Sequence, residues 1–201
     1  MVSFVRLFQV QDVFAEPITP GMDKIVLLYD NDGIVALCAL QFFDLQNLAH
    51  LECSQILRCG QDWVSDKIKN GARSICYGSK LVSDRNHSVH RIHKFRSLGS
   101  LYAVLMFRHF QETGLDLAVC VTRRDRGMTS AATLVGGHQE REVEIEGVEY
   151  LDLDLMVANQ QDAAAFPFQR MGPAFDSLWQ GRRSTWEEVV ADGLVIKVHE
   201  L

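Results

Sequence analysis

No stretch of these 201 residues is apolar for long enough to cross a bilayer; the longest uninterrupted run, 34–40, falls far short of the ~20 residues a spanning helix needs. The first 14 residues carry a single Arg, and their apolar residues alternate with polar ones, so they lack the apolar block of a secretory signal. The five cysteines (Cys38, Cys53, Cys59, Cys76 and Cys120) are odd in number and contain no paired Cys-x-x-Cys. A disulfide framework and a zinc site near His50, Cys53 and Cys59 are both disfavoured, and reduced, buried thiols in a cytoplasmic protein are expected. Neither a Gly-x-Ser-x-Gly elbow nor a phosphate-binding P-loop occurs, and there is no repeat or low-complexity tract. Basic charge is also scarce. The net charge of −6 and pI near 5.6 argue against a general nucleic-acid binder.

What is present is a soluble globular composition, 47% hydrophobic and 23% charged, enough for a full core. Residues 3–10 alternate and read as a strand, and 11–23, with Pro17, Pro20 and Gly21, as a loop. A hairpin follows: β-rich runs at 24–29 and 34–43 flank Asp30-Asn31-Asp32-Gly33. Residues 48–57 fit strand or helix equally, whereas Trp63, Val64 and Ile68 space a helix over 61–69 that ends at Asn70-Gly71. Residues 72–83 resume as a strand and 84–93 as a polar loop. Leu98, Leu101, Tyr102, Leu105 and His109 mark a long helix over 95–113, broadened by Val104 and Phe107 and stopped by Gly114. A strand at 115–122, apolar enough to be buried on both faces, leads through a charged loop to a short helix at 128–135. Runs at 138–145 and 149–157 then form a closing hairpin, the second strand alternating as if one face were buried. The aromatics of 159–201 suit core packing, an interface or a lid over an apolar tunnel, and 193–198 a terminal strand. Strand, helix, strand in the middle requires a parallel crossover, and the hairpins are antiparallel. The expected fold is therefore α/β with a mixed central sheet.

Chemistry is best placed where the strand 72–83 meets the helix from 95, because a helix N-terminus offers unpaired N–H groups to a phosphate. That junction reads Arg96-Ser97-Leu98-Gly99-Ser100-Leu101, with Gly99 permitting close approach and Arg96 adding a cation. It resembles the Gln/Arg-x-x-Gly-x-Gly/Ala turn of the GNAT superfamily of N-acyltransferases, whose amides cradle the pyrophosphate of coenzyme A. The succession of buried strand, short helix closed by Gly136-Gly137 and hairpin is similar too. The resemblance implies a GNAT-like (acyl-CoA N-acyltransferase) topology over 1–158, with 159–201 an extension packed on the same domain. It further implies that Leu81, Val82, Ser83, Arg96, Leu98, Gly99, Ser100 and Leu101 hold the donor, and that the strands 73–83 and 115–122 splay around its pantetheine arm and acyl chain. Two departures stand out. The tyrosine that many such enzymes place four residues before the closing glycine is Ala132 or Thr133 here, and Leu101 replaces a small residue. Both are similar to a divergent branch that takes long acyl chains, including the N-acyl amino acid and acyl-homoserine-lactone synthases.

Residues 85–96 hold Arg85, Arg91, Lys94 and Arg96 with no acid, which suits an anionic donor or a solvated loop equally, and Arg123, Arg124 and Arg126 form a second patch. For the base that frees the attacking amine, Asp84 and His87 in the loop and Glu52 in the unassigned segment are the candidates. His87, His90 and His93 at three-residue spacing lack the partners a metal site needs, so no metal is expected. Cys76 and Cys120 fall in buried strands, favouring direct transfer over a covalent intermediate. The sequence thus points to acyl transfer from acyl-CoA or acyl carrier protein to a small-molecule amine. A signal synthase making acyl-homoserine lactones or N-acyl amino acids, and an inactive acyl-binding module, stand as alternatives. Neither a nucleic-acid partner nor an integral membrane segment is expected.

Overall fold

The computed structural model describes residues 22–30, 33–83, 98–145 and 151–171, with 175, 176, 179, 187–191 and 194–200 beyond them. The expected strand at 3–10, residues 11–21 of the expected loop 11–23, the segment 84–97, residues 146–150 and Trp186 lie outside the described residues, and Met22 and Asp23 begin β1. The strands are β1 (Met22–Asp30), β2 (Gly33–Asp44), β3 (Ser74–Ser83), β4 (Leu117–Arg123), β5 (His138–Val143), β6 (Leu153–Asn159), β7 (Glu187–Ala191) and β8 (Leu194–Glu200). They form one sheet in the order β5-β6-β4-β3-β2-β1-β8-β7. β3 and β4 run parallel, as do β1 and β8; the remaining neighbours are antiparallel. The mixed α/β sheet expected from the sequence is what the chain forms. Among the described residues no helix is long and apolar enough to cross a membrane.

The helices are α1 (Leu48–Leu51), α2 (Ser54–Cys59), α3 (Gln61–Lys69), α4 (Leu98–Thr113), α5 (Met128–Leu134) and α6 (Gln160–Ala165). The parallel pair β3 and β4 needs a crossover, and α4 supplies it on one face of the sheet. The inner stripe of α4 (Leu101, Tyr102, Val104, Leu105, Phe107, Phe110) packs with Leu40, Cys76 and Ala158. The opposite face is covered by α2 and α3, whose Ile56, Cys59, Trp63 and Val64 meet Ile75, Tyr77, Val119 and Leu155. Strand periodicity produces this division: Cys76 and Ala118 point toward α4, and Ile75, Tyr77, Leu117 and Val119 point away.

Residues 48–57, which fit strand or helix, fall in the helices α1 and α2, and α3 has the expected bounds. Gly60 joins α2 to α3 at φ 91°, where a β-carbon would come within 2.6 Å of Arg141 Nη1. That guanidinium bonds Asp62 at 2.8 Å, while Trp63 Nε1 and Lys67 Nζ donate to Glu140 at 2.9 and 2.6 Å, fastening α3 to β5. β4 has helices over both faces, as expected, with Ala118, Cys120 and Val121 half-buried and none of its residues exposed. One strand expectation is corrected. β6 has both faces buried instead of one, since it lies inside the sheet between β4 and β5 with helices covering either side. β7 was not anticipated.

After β6 the chain caps α6 with Asn159 and Asp162 bonding reciprocally, then returns along α4. Phe168, Phe175 and Trp179 are buried in the core with α4, which is the packing role among the three open for this segment. Trp179 Nε1 donates to Glu112 at 3.1 Å, and the Arg108 guanidinium lies 5.0 Å from the Phe168 ring centre.

Candidate functional site

The ladder between β3 and β4 stops early. Ile75, Cys76, Tyr77 and Gly78 pair with Leu117, Val119 and their neighbours up to Gly78–Cys120, yet β3 continues to Ser83 and β4 to Arg123. Each arm is held on its outer side. Val82 and Ser83 pair with Leu37 and Ala36 of β2, and Val121 to Arg123 pair with Leu155 to Leu153 of β6. The cause is legible in the register: between Ala39–Ser79 and Leu37–Val82, the single residue Cys38 of β2 faces Lys80 and Leu81 of β3. An extra residue of this kind bends its strand and increases the twist, drawing β3 away from β4 just past Gly78. Two inner edges are left open toward each other.

Below the opening, on the α4 face, lies a cavity of about 730 Å³. The register orders its sheet-side wall. Cys76, Ala118 and Ala158 form the innermost row, Gly78, Cys120 and Met156 the next, and Thr122 the outermost, paired with Asp154, which is buried and outside the lining. Four residues of strand separate Ala118 from Thr122, a depth of about 13 Å. α4 roofs it, with Gly99 at the mouth and Phe107 and Phe110 over the floor, and Ala131 and Ala132 of α5, with Val135 just past its end, close one flank. Gly78 keeps the fork clear: a β-carbon there would meet the Cys120 β-carbon at 3.8 Å, in the space the cavity occupies.

The thiols of this wall are poor nucleophiles. Burial pushes Cys38 and Cys120 up to about 12, and the Cys38 thiol donates to the Ser79 carbonyl at 3.2 Å. Tyr102, fully buried in the roof, is likewise held protonated by burial. At the mouth, Arg123 grips Asp125 through two bonds of 3.0 and 2.7 Å, while Arg126 approaches the same carboxylate at 3.9 Å. Arg124 turns inward to Asp154, whose side chain is wholly buried, and to Glu142. The basic patch expected at 123–126 is therefore partly neutralised, and Arg123 and Arg126 are the members that reach the cavity.

The residues singled out in the sequence fall as follows. Leu81, Val82 and Ser83 form the bent arm of β3, and Leu98, Gly99, Ser100 and Leu101 the first turn of α4, so the structure brings these two groups to one end of the sheet. Leu101 has 0% exposure, its side chain turned into the core, so it reaches the mouth only through its backbone. Asp84, His87 and Arg96 lie outside the described residues, as do Arg85, His90, Arg91, His93 and Lys94. Glu52 is exposed at the C-cap of α1 and does not line the cavity. Of the two positions where the family's tyrosine was sought, Ala132 lines the cavity and Thr133 is exposed, its hydroxyl donating to the Thr129 carbonyl. Thr122, Thr129 and Asp154 form a bonded set at the mouth that sequence reasoning missed. Their only signal was Asp154, which the alternation of Leu and Asp over 151–155 assigned to a wet face.

No family model matches the chain, and no curated protein matches it. Several solved structures are similar. The N-acyl amino acid synthase FeeM from uncultured soil microbes has a TM-score of 0.46 at 9% identity, over 70% of this chain and 74% of its own. A polyamine N-acetyltransferase from Drosophila melanogaster has 0.46 at 11% identity, over 66% and 73%. A spermidine N-acetyltransferase chimera from Vibrio cholerae and human sequence has 0.45 at 10% identity, over 78% of both chains. The crossover through α4, the parallel pair opened at its carboxyl ends and the closing β5–β6 pair follow the succession of elements on which the resemblance to the GNAT superfamily rested.

Proposed function

We propose that the protein transfers an acyl group from a pantetheine thioester to an amine. The observation that carries this reading is the opening of β3 from β4 directly above a deep apolar cavity. A pantetheine arm is a thin, extended chain with amide groups, and the two open strand edges offer it main-chain partners. The acyl chain would descend past Gly78 and Cys120 toward Ala118 and Ala158. An acetyl group would leave most of that depth empty, so the cavity favours a medium or long chain. The phosphate that precedes the arm, in acyl-CoA and acyl carrier protein alike, would meet Arg126 and Arg123 at the mouth.

Transfer then needs one bond made and one broken. The amine nitrogen attacks the thioester carbonyl, the carbon–sulfur bond breaks, and the thiolate takes up a proton as the ammonium loses one. With Cys38 and Cys120 held as thiols, direct attack within a ternary complex is the route the site favours. Asp84 and His87 remain the base candidates from the sequence; Glu52, exposed and off the cavity lining, is the less favoured of the three. The depth of the cavity also favours the second reading, synthesis of an N-acyl amino acid or acyl-homoserine lactone, as a special case of the first.

The test is a thermal shift with acetyl-, octanoyl- and palmitoyl-CoA and the matching acyl carrier proteins, followed by thiol release with a panel of amines. A donor at 100 times its Kd should stabilise the fold by ~2.7 kcal/mol. Octanoyl or palmitoyl donors are expected to outperform acetyl-CoA. No shift with any donor would overturn the reading, and binding without thiol release would favour an acyl-binding module.

A further inference from the structure

The wall of the cavity changes character at its outermost row, where Thr122 sits beside its cross-strand partner Asp154. Asp154 has 0% exposure. Its carboxylate accepts from Arg124 Nη2 at 2.5 Å and Nε at 3.2 Å, from Gln139 Nε2 at 2.7 Å and from Thr129 Oγ1 at 2.8 Å. The Arg124 guanidinium, and after it Thr129, hold the carboxyl below its ordinary value, so the group is ionised and only accepts. Thr129 must therefore spend its single proton on Asp154.

That fixes the next bond. Thr122 Oγ1 and Thr129 Oγ1 are 2.9 Å apart, and with the Thr129 proton committed, Thr122 is the donor. Its other contact, 3.4 Å to the Asp154 carbonyl, would also consume the proton. Either way the hydroxyl hydrogen of Thr122 points into the protein, and the oxygen keeps lone pairs but no donor. A hydroxyl ordinarily turns to suit its ligand; this one has its direction set by a buried carboxylate two bonds away.

Resting on the donor site proposed above, we propose that Thr122 is a fixed hydrogen-bond acceptor that receives an amide N–H of the pantetheine arm at the mouth of the cavity. It lies on the open arm of β4, beyond the last rung at Cys120, between the floor that would hold the acyl chain and the arginines that would meet the phosphate. An arm entering there presents secondary amides, whose N–H groups need acceptors once desolvated. The same oxygen would repel an ester in place of the amide, because two sets of lone pairs would then face each other.

The experiment uses S-octyl pantetheine, a stable thioether, and two analogues in which one or the other amide N–H is replaced by an ester oxygen. Binding is measured by calorimetry to the wild type, Thr122→Val and Thr122→Ser. The wild type should bind one ester analogue about fivefold or more weaker than the parent. Thr122→Val should bind that pair alike, and Thr122→Ser should restore the difference. The wild-type comparison needs no variant to fold. Equal binding of all three ligands by the wild type, or full discrimination retained in Thr122→Val, would overturn the assignment while leaving the donor site standing. Failure of both S-octyl pantetheine and octanoyl-CoA to bind the wild type would bring down the donor site itself.

Discussion

Replacing Ala118 by Leu should shorten the acyl chain the protein accepts while leaving its fold intact. Ala118 is half-buried in the innermost row of the cavity, paired with Cys76 and Ala158, beneath Phe110 of α4. Leu adds three carbons beside the cavity that Ala118 lines. Each buried methylene contributes ~0.8 kcal/mol, so a chain that fills the cavity should lose about 2.4 kcal/mol, or about 50-fold in affinity. A chain three carbons shorter should bind the variant nearly as well as the wild type. The assay is calorimetric titration with a series of acyl-CoA thioesters from acetyl to palmitoyl. In the wild type, affinity should climb with length and then level off; in Ala118→Leu the plateau should arrive about three carbons sooner. The melting temperature should change little, because overpacking costs arise only where space is already filled. An identical length profile in both proteins would refute the assignment of the cavity to the acyl chain.

Gly78→Val should lower donor affinity by about tenfold or more (about 1.4 kcal/mol) yet keep the fold, as Gly78 needs no left-handed backbone, its β-carbon would meet its nearest neighbour at an ordinary 3.8 Å, and the γ-carbons would have the cavity to enter. Full affinity in a folded variant would move the arm away from the fork. Asp154→Asn should lower the melting temperature at neutral pH. Because the folded Asp154 carboxyl is held below its ordinary value, its stabilisation is fully present above the unfolded pKa of ~3.9 and fades as pH falls through the folded one. The gap between wild type and variant should therefore close in acid; a constant gap down to pH 3 would contradict that linkage. Cys120→Ala should retain thiol release with a productive amine, and alkylation of Cys38 and Cys120 at pH 8 should be slow, since both thiols are pushed up to about 12. Complete loss of turnover in a folded Cys120→Ala protein would reinstate a covalent intermediate.

The parts of the fold that were legible in the sequence are those set by local chemistry. Asp32-Gly33 announces the β1–β2 hairpin, Gly114 the end of α4, and the apolar stripe of 98–110 the face that covers the sheet. Helices α1 and α2 were not legible. They are too short for a period to show, and Leu48 and Leu57 spend their apolar surface in solvent. The burial of β6 was misread because alternation of Leu and Asp implies one wet face, whereas the Arg124 and Thr129 bonds let Asp154 sit inside. That Gly99 lies in the first turn of α4, after the strand that ends at Ser83, was legible from the glycine and the succession of elements around it. The cavity could not be, since it depends on how far α4 stands off from Ala118 and Ala158, and small residues in a strand do not reveal whether a neighbour fills their space. The bulge at Lys80 and Leu81 that opens the parallel pair is a matter of register, which no single strand records.

The central claim is that the opened pair holds a pantetheine arm and the cavity holds its acyl chain. A crystal structure with S-octyl pantetheine tests it most directly. The account predicts the arm lying between β3 and β4 beyond Gly78 and Cys120, with the alkyl chain running under α4 toward Ala118 and Ala158. A chain bound elsewhere, or an arm lying outside the two strands, would contradict it.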